Sequence, residues 1–543
     1  MRALALYVTL AFLLFGLRLV TDTGSTYSGT GRDPQIFIWA FAWWPHTILH
    51  GLNPFVTHAV WAPDGINLAW TTTVPGLALL FAPLTLAAGP VASYNVAAVL
   101  MPALAAWTAF LLCRDLTRRM WPSLVGGYLF GFSSYMLGEQ LGHIHATSAF
   151  LVPLVALVVL RYVRGDLSGW ALVARLAPLL ALQLLFATEF AFTLTLAVAC
   201  ALVIGAAVAP ALRARLVTSL VPLTGSYLLA GVLTSPFLYY LLSGFHSSSY
   251  HSETYNTDLL NFVVPTQLTL SGQGWAGQIS QYFPGNISER GAYLGVPTLA
   301  IVALYAWKRA RTAGGRFLIA SFVLAVLAAL GSNVVVDGHS SLRLPWTAVE
   351  HLPLFDNVLP ERVTLYVSLA AAVIVALWTA SCARGVLQWL LPALAILAIV
   401  PHPAAGTWVT HYAVPPFFSD SSYRGCLSPG ENILPLPPTF DGDADLWQVE
   451  SGFRFTMAGG YIAVGPPASF LTPDAVAWIA RGNPVQPDQV QMLVTYIHDK
   501  RVTSVVVDKS QRLWAAVVDR IATPHDVGGV LLYHVAGPGP SCP

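Results

Sequence analysis

SYNVAAVLMPALAAWTAFLLC, residues 93–113, is followed at once by RDLTRR, residues 114–119. The first stretch carries no charge and has the length of about 20 residues that a membrane-crossing helix needs. The second puts Arg114, Arg118 and Arg119 directly at its end. The same alternation recurs along the chain, with basic gaps at Arg161/Arg164, Arg213/Arg215, Lys308/Arg309/Arg311/Arg316 and Arg384. The intervening gaps are nearly free of Lys and Arg. Cytoplasmic loops carry the excess of Lys and Arg, so the basic gaps are expected inside and the remaining polar residues outside.

Eleven apolar runs fit this pattern: 3–20, 93–113, 120–137, 148–163, 169–187, 190–209, 216–240, 292–307, 317–331, 363–382 and 386–401. The run 72–88 is short and carries Pro75 and Pro83. Counting it as a span would turn every later basic gap outward, so it is predicted to be a re-entrant or juxtamembrane element. The run from Ala3 to Val20 is expected to be a retained first helix, being long for a signal sequence and without a clean cleavage site.

Composition agrees. The 543 residues are 55% hydrophobic and only 10% charged, with a net charge of +1. Soluble domains carry about 25% charged residues. No basic stripe suggests nucleic acid. The expected fold class is therefore a polytopic α-helical membrane protein of about eleven spans with a small extracytoplasmic α/β C-terminal domain, in the cell (inner or plasma) membrane.

The membrane domain is expected to occupy residues 1–401, with long outer loops at 21–71, 241–291 and 332–362. The first loop holds QIFIWAFAWW, residues 35–44, read as an aromatic interface anchor or an amphipathic stretch lying flat in the interface. Residues 402–543 regain ordinary charge density. Strands are predicted at 432–436, 502–507 and 529–535, and helices after Thr472, over 489–500 and after Ser510. The last two strands and the helix between them read as a parallel β-α-β unit. No glycine-rich phosphate loop follows these strands, so no nucleotide cofactor is expected. Cys426 and Cys542 both fall in this tail, where a disulfide between them is sterically conceivable.

The candidate site residues all fall on the outer side. Asp33 is the first acid after the opening helix. Arg290 follows Glu289, and Arg362 follows Glu361, each just before an apolar run. An Arg fork suits a phosphate, and a helix N-terminus favours an anion; pairing with the adjacent acid is the plainer alternative. Glu139, His143 and His145 follow the run 120–137, and Glu189 lies between two runs. A carboxylate at membrane depth is costly and marks a functional candidate. His143-Ile-His145 would share a face if extended, but spacing supplies no further ligands, so no metal is expected. In the loop 241–291, His251, Glu253, Tyr255 and Asp258 are candidates for acceptor contacts or plain solvation.

The first-loop motifs GRDPQIFIW (31–39) and HGLNPF (50–55), with the helix plan and the outer tail, resemble bacterial members of the GT-C superfamily of integral-membrane glycosyltransferases. The resemblance implies a polyprenyl-phosphate sugar donor in the lipid bilayer, a glycan, lipid or protein acceptor, and Asp33 as general base. Paired acids stand at this point in many members, whereas Pro34 follows Asp33 here. The competing expectations are a transporter or flippase of lipid-linked saccharides and a non-catalytic assembly protein. Transporters tend to show paired repeats, which this sequence lacks.

Overall fold

The computed structural model describes the chain except residues 22–23, 244–251, 353, 382–384, 405, 439–440, 463–464, 538, 541 and 543, together with the side chains of 252–253. His251, Arg384 and the Glu253 side chain, singled out in the sequence, lie outside this description. The described residues form two compact units, one of 1–23, 95–235 and 249–409, the other of 24–94, 236–248 and 410–543.

The first unit is a helical bundle. Seven helices in the described chain are long and apolar enough to cross a membrane: Arg2–Thr21, Pro90–Thr117, Ile144–Arg164, Gly169–Phe186, Thr188–Val208, Pro210–Leu233 and Pro360–Ser381. The chain is thus a multi-pass membrane protein. The other four expected runs are helical but shorter, at Met120–Gly131, Val296–Arg309, Ala313–Ala329 and Val386–Ala398. Met120–Gly131 ends early because Phe132 leaves helical geometry and Ser133 caps a new short helix, Ser134–Glu139. Small residues let the bundle close: a Cβ at Gly131 would stand 2.4 Å from the Ala106 backbone nitrogen, and one at Gly126 would stand 3.1 Å from the Ala372 carbonyl. Such close backbone approach is how helices associate where lipid gives no hydrophobic drive. Val203, Val221, Leu228 and Val232 are apolar yet exposed, as lipid-facing side chains are.

The basic gaps converge within this unit. Asp115 accepts from Arg161 (3.0 Å) and Arg164 (2.6 Å), and Arg215 donates to the Tyr162 carbonyl at 2.8 Å. Arg316 reaches the carbonyl of Val208, at the far end of the helix that Glu189 begins. At 1.5 Å per residue that helix keeps the two ends about 30 Å apart.

In the second unit, a five-stranded sheet runs in the order 525–527, 530–534, 504–508, 432–436, 456–457. The strands at 432–436 and 504–508 are parallel, whereas 530–534 lies antiparallel on 504–508. This corrects the parallel β-α-β reading. Val527 pairs with Val530 across Gly528-Gly529, both at positive φ (52° and 84°). A two-residue Gly-Gly loop makes a tight hairpin, and it reverses the last strand.

The helix Asp33–Leu49 belongs to this unit, and its aromatic side chains pack inside it rather than facing outward. Ile36, Phe37, Ile38, Trp39, Ala40, Phe41, Trp43 and Trp44 are all buried. Trp39 donates to Gln448 at 2.7 Å and stacks on Trp43, while Phe41 packs on Phe81 and Tyr94. A helix apolar all round is a core helix. Residues 72–88 form two short helices, Pro75–Leu80 and Ala82–Ala88, neither long enough to span.

Cys426 and Cys542 are joined by a disulfide. It closes a loop of 116 residues, for which chain-entropy arguments give about 4–5 kcal/mol. Cys542→Ser is expected to lower the denaturant midpoint of this unit accordingly. An unchanged midpoint under non-reducing conditions would show that the bond constrains nothing.

Candidate active site

In the helical unit three carboxylates surround one guanidinium. Glu139 ends the short helix Ser134–Glu139, Glu189 starts Thr188–Val208, Glu289 ends a single turn capped by Asn286, and Arg362 opens the last long helix. Arg362 donates through Nη1 to Glu189 Oε2 at 2.6 Å and through Nη2 to Glu289 Oε1 at 2.6 Å. Its Nε lies 3.2 Å from both Glu289 oxygens and 3.6 Å from Glu139 Oε1. Glu189 also accepts the Leu359 N–H at 3.2 Å. Glu361 turns away: its Oε1 accepts the Gly291 N–H at 2.6 Å, and its buried Oε2 has no hydrogen-bond partner among the described residues. Arg362, expected as a phosphate fork, is thus engaged by acids on three nitrogens.

His143 Nδ1 sits 2.7 Å from Glu139 Oε2 and 3.8 Å from Glu289 Oε1. Glu139 is fully buried, and burial together with the neighbouring Glu289 charge pushes its pKa up to about 7. Glu139, His143 and Glu289 offer donor atoms within 4.8 Å of one another, a group able to hold a metal ion. Chain spacing could not reveal it, because the third donor comes from the distant Glu289. Arg362 already stands against two of the three, so a divalent ion there would compete with the guanidinium. His145 belongs to a helical turn, Ile144–Thr147, so the two histidines do not alternate along an extended strand. Arg290 is half-buried and donates to the carbonyls of Gly285 (2.7 Å) and Pro284 (3.3 Å). Asp258 has a structural role: it caps Leu260 N–H at 2.9 Å and accepts Gly338 N–H at 2.8 Å.

Asp33 belongs to the other unit. Gly31, at φ +72°, turns the chain, and Pro34 in the first turn starts the helix. Asp33 therefore sits at the positive end of the helix dipole, which favours its charged form. Tyr27 Oη donates to the Gly31 carbonyl at 2.9 Å, fixing the turn. Arg32 is ion-paired with Asp443, which also accepts from Gln35 Nε2 at 2.5 Å. Tyr461 Oη donates to Asp33 Oδ1 at 2.6 Å. Tyr461, Asp443 and Asp445 escaped the sequence reading; the only local signal is Gly459-Gly460 just before the tyrosine.

Asp445 is buried and accepts the Tyr461 backbone N–H, with no hydrogen-bond partner for Oδ1 among the described residues. Burial pushes its pKa up to about 7 from an ordinary value of about 3.9. The folded state therefore keeps this proton to higher pH than the unfolded chain. The stability this gives is present at low pH and is lost as pH rises from about 4 through about 7. Asp445→Asn is expected to flatten this fall, read as the thermal midpoint between pH 4.5 and 8. Parallel wild-type and Asn curves would contradict it.

A family described as "Domain of unknown function (DUF6311)" matches residues 4–400. No curated protein matches the sequence. Among solved structures, the arabinofuranosyltransferase AftD from Mycobacteria is 14% identical, with a TM-score of 0.57 over 99% of this chain and 40% of that one. The oligosaccharyltransferase from Archaeoglobus fulgidus is 13% identical, with a TM-score of 0.52 over 95% of this chain and 70% of that one. This chain thus spans less than half the length of the mycobacterial protein. At these identities the likeness is one of fold.

Proposed function

The chain belongs to the family described as a domain of unknown function, DUF6311, and has the GT-C fold, and we propose that it is a membrane glycosyltransferase acting on a polyprenyl-phosphate sugar. The acceptor is an extracytoplasmic glycan, lipid or protein. Asp33 takes the proton from the acceptor hydroxyl as that oxygen attacks the anomeric carbon. The bond from that carbon to the phosphate oxygen breaks, and the phosphate leaves with the electron pair. One direct displacement inverts the anomeric centre, as in inverting glycoside hydrolysis with a single base.

The departing phosphate needs a cation or donors, since electrostatic stabilisation is usually the largest catalytic contribution. Arg290 is assigned this role, because its partners are backbone carbonyls rather than acids. Arg362 is assigned to holding Glu189, Glu289 and Glu139 in place. Those acids, with Glu361, His143 and His145, are assigned to the hydroxyls of the sugars. Placement of Asp33 and the tail outside the cytoplasm is supported by the gathered basic gaps and by the Cys426–Cys542 disulfide, a bond of oxidising compartments.

The observation that carries this reading is Asp33 itself, at the start of a buried helix, its carboxylate held by a tyrosine, in a chain of the GT-C fold. The test is to give the purified protein a panel of polyprenyl-phosphate sugars and an acceptor mixture, and to measure free polyprenyl phosphate. Release that depends on acceptor is expected. Movement of the intact lipid-linked sugar between leaflets, without release, would point to a flippase instead.

A further inference from the structure

We infer that Tyr461 is the positioning residue of Asp33, so that the C-terminal segment sets the geometry and basicity of the acid in the first loop. The inference rests on Asp33 being the base, as proposed above.

Tyr461 bridges two carboxyl groups. Its hydroxyl donates to Asp33 Oδ1 at 2.6 Å, and its backbone N–H is bound by the buried Asp445. The residue is carried on a rigid support. Met457 N–H donates to the Ala59 carbonyl, Ala62 N–H to Met457 and Trp61 N–H to Gly459, each at 2.8 Å, so the segment before it is laced to residues 59–62. Tyr496 Oη donates to the Ala458 carbonyl at 2.7 Å. Gly459 and Gly460 then turn at φ +148° and +150°, and a Cβ at Gly460 would stand 2.8 Å from Val60 Cβ. Glycine is needed there for both backbone angle and close approach.

The chain on Asp33's side is fixed as well. Asp443 holds Arg32 and Gln35, one on each side of Asp33 and Pro34, and Tyr27 holds Gly31. The tail thus grips residues 31–35 at three side chains, with Tyr461 on the carboxylate itself. A rotatable carboxylate is a poor base because its lone pair must be aimed. A bond donated to one of its oxygens fixes its rotation and favours its charged form. Ionisable groups around Asp33 include Tyr461, Arg32 beside it, Asp443 through Arg32, and Tyr94 at the start of helix 90–117.

The experiment follows release of polyprenyl phosphate from a polyprenyl-phosphate sugar by wild type, Tyr461→Phe, Asp33→Asn and the double variant. Removing the hydroxyl is expected to lower kcat about 10- to 100-fold, the range of a hydrogen bond to a charged group. KM for the donor is expected to stay within about twofold, since the loss falls on the chemical step. The acidic limb of the pH–rate profile is expected to move up, by roughly one pH unit. In the Asp33→Asn background the Phe substitution is expected to cost nothing further, because residues acting as a unit are not additive. 3-Fluorotyrosine at 461, a stronger donor of nearly the same shape, is expected to move the limb down.

A Tyr461→Phe protein with wild-type kcat and an unmoved limb would overturn the inference. So would an equal additional loss in the double variant, which marks a structural role only. Wild-type turnover by Asp33→Asn is a separate result: it removes the base reading itself.

Discussion

Asp33→Asn is expected to lower sugar transfer by about 10²–10⁴-fold, the usual worth of a general base, with the fold and donor affinity retained. The substitution is isosteric and keeps an oxygen for the hydrogen bond from Tyr461 Oη. It keeps the helix start too, since Gly31, Pro34 and the Arg32–Asp443 pair are untouched. What it removes is the negative charge at the helix N-terminus and the ability to accept a proton. The expected signature is therefore a loss in kcat at unchanged KM, with an unchanged melting midpoint. An equal loss of binding and stability would make Asp33 a structural acid.

Removing the charge of Arg362 is expected to have the largest effect on stability. Its guanidinium is 12% exposed and meets Glu189 and Glu289 at 2.6 Å and Glu139 at 3.6 Å. Arg362→Met would leave buried carboxylates facing one another without a counter-charge. Breaking a buried pair from one side costs about 3–5 kcal/mol. Arg362→Lys is expected to recover only part, because a point charge cannot meet Glu189 and Glu289 with the spread of a planar fork. Arg362→Met with Glu289→Gln is expected to be milder than Arg362→Met alone. Thermal unfolding in detergent, read beside folded yield, ranks the four proteins. A double variant worse than the single one would contradict a charge-balance origin.

The helices were legible because hydropathy and Arg placement are local properties. Residues 93–119 announce both a span and its end, and Arg161, Arg164 and Arg215 gather where the gaps predict. Asp33, Glu139, Glu189, Glu289 and Arg362 stood out as polar residues at the ends of apolar runs. Their pairing did not, since Arg362 meets acids 73 and 173 residues away. Three expected spans came out shorter because caps and turns cut them, as Ser133 does after Gly131, while the run 317–331 falls mostly in the 17-residue helix Ala313–Ala329. The Trp-rich helix 33–49 misled because burial on every side and anchoring in an interface draw on the same residues. The last strand misled because Gly529 read as its first residue, whereas Gly528-Gly529 is the hairpin turn itself. Tyr461 had only a weak signature, the Gly459-Gly460 pair before it: a tyrosine after two glycines is ordinary until the fold brings it to Asp33.

The most direct measurement is the anomeric configuration of the product, determined by NMR after incubating the protein with a polyprenyl-phosphate sugar and its acceptor. A single base and direct displacement predict a linkage opposite to that of the donor, formed with one free polyprenyl phosphate per sugar transferred. A product that keeps the donor's configuration would contradict that mechanism, and intact donor delivered to the other leaflet would contradict transfer altogether.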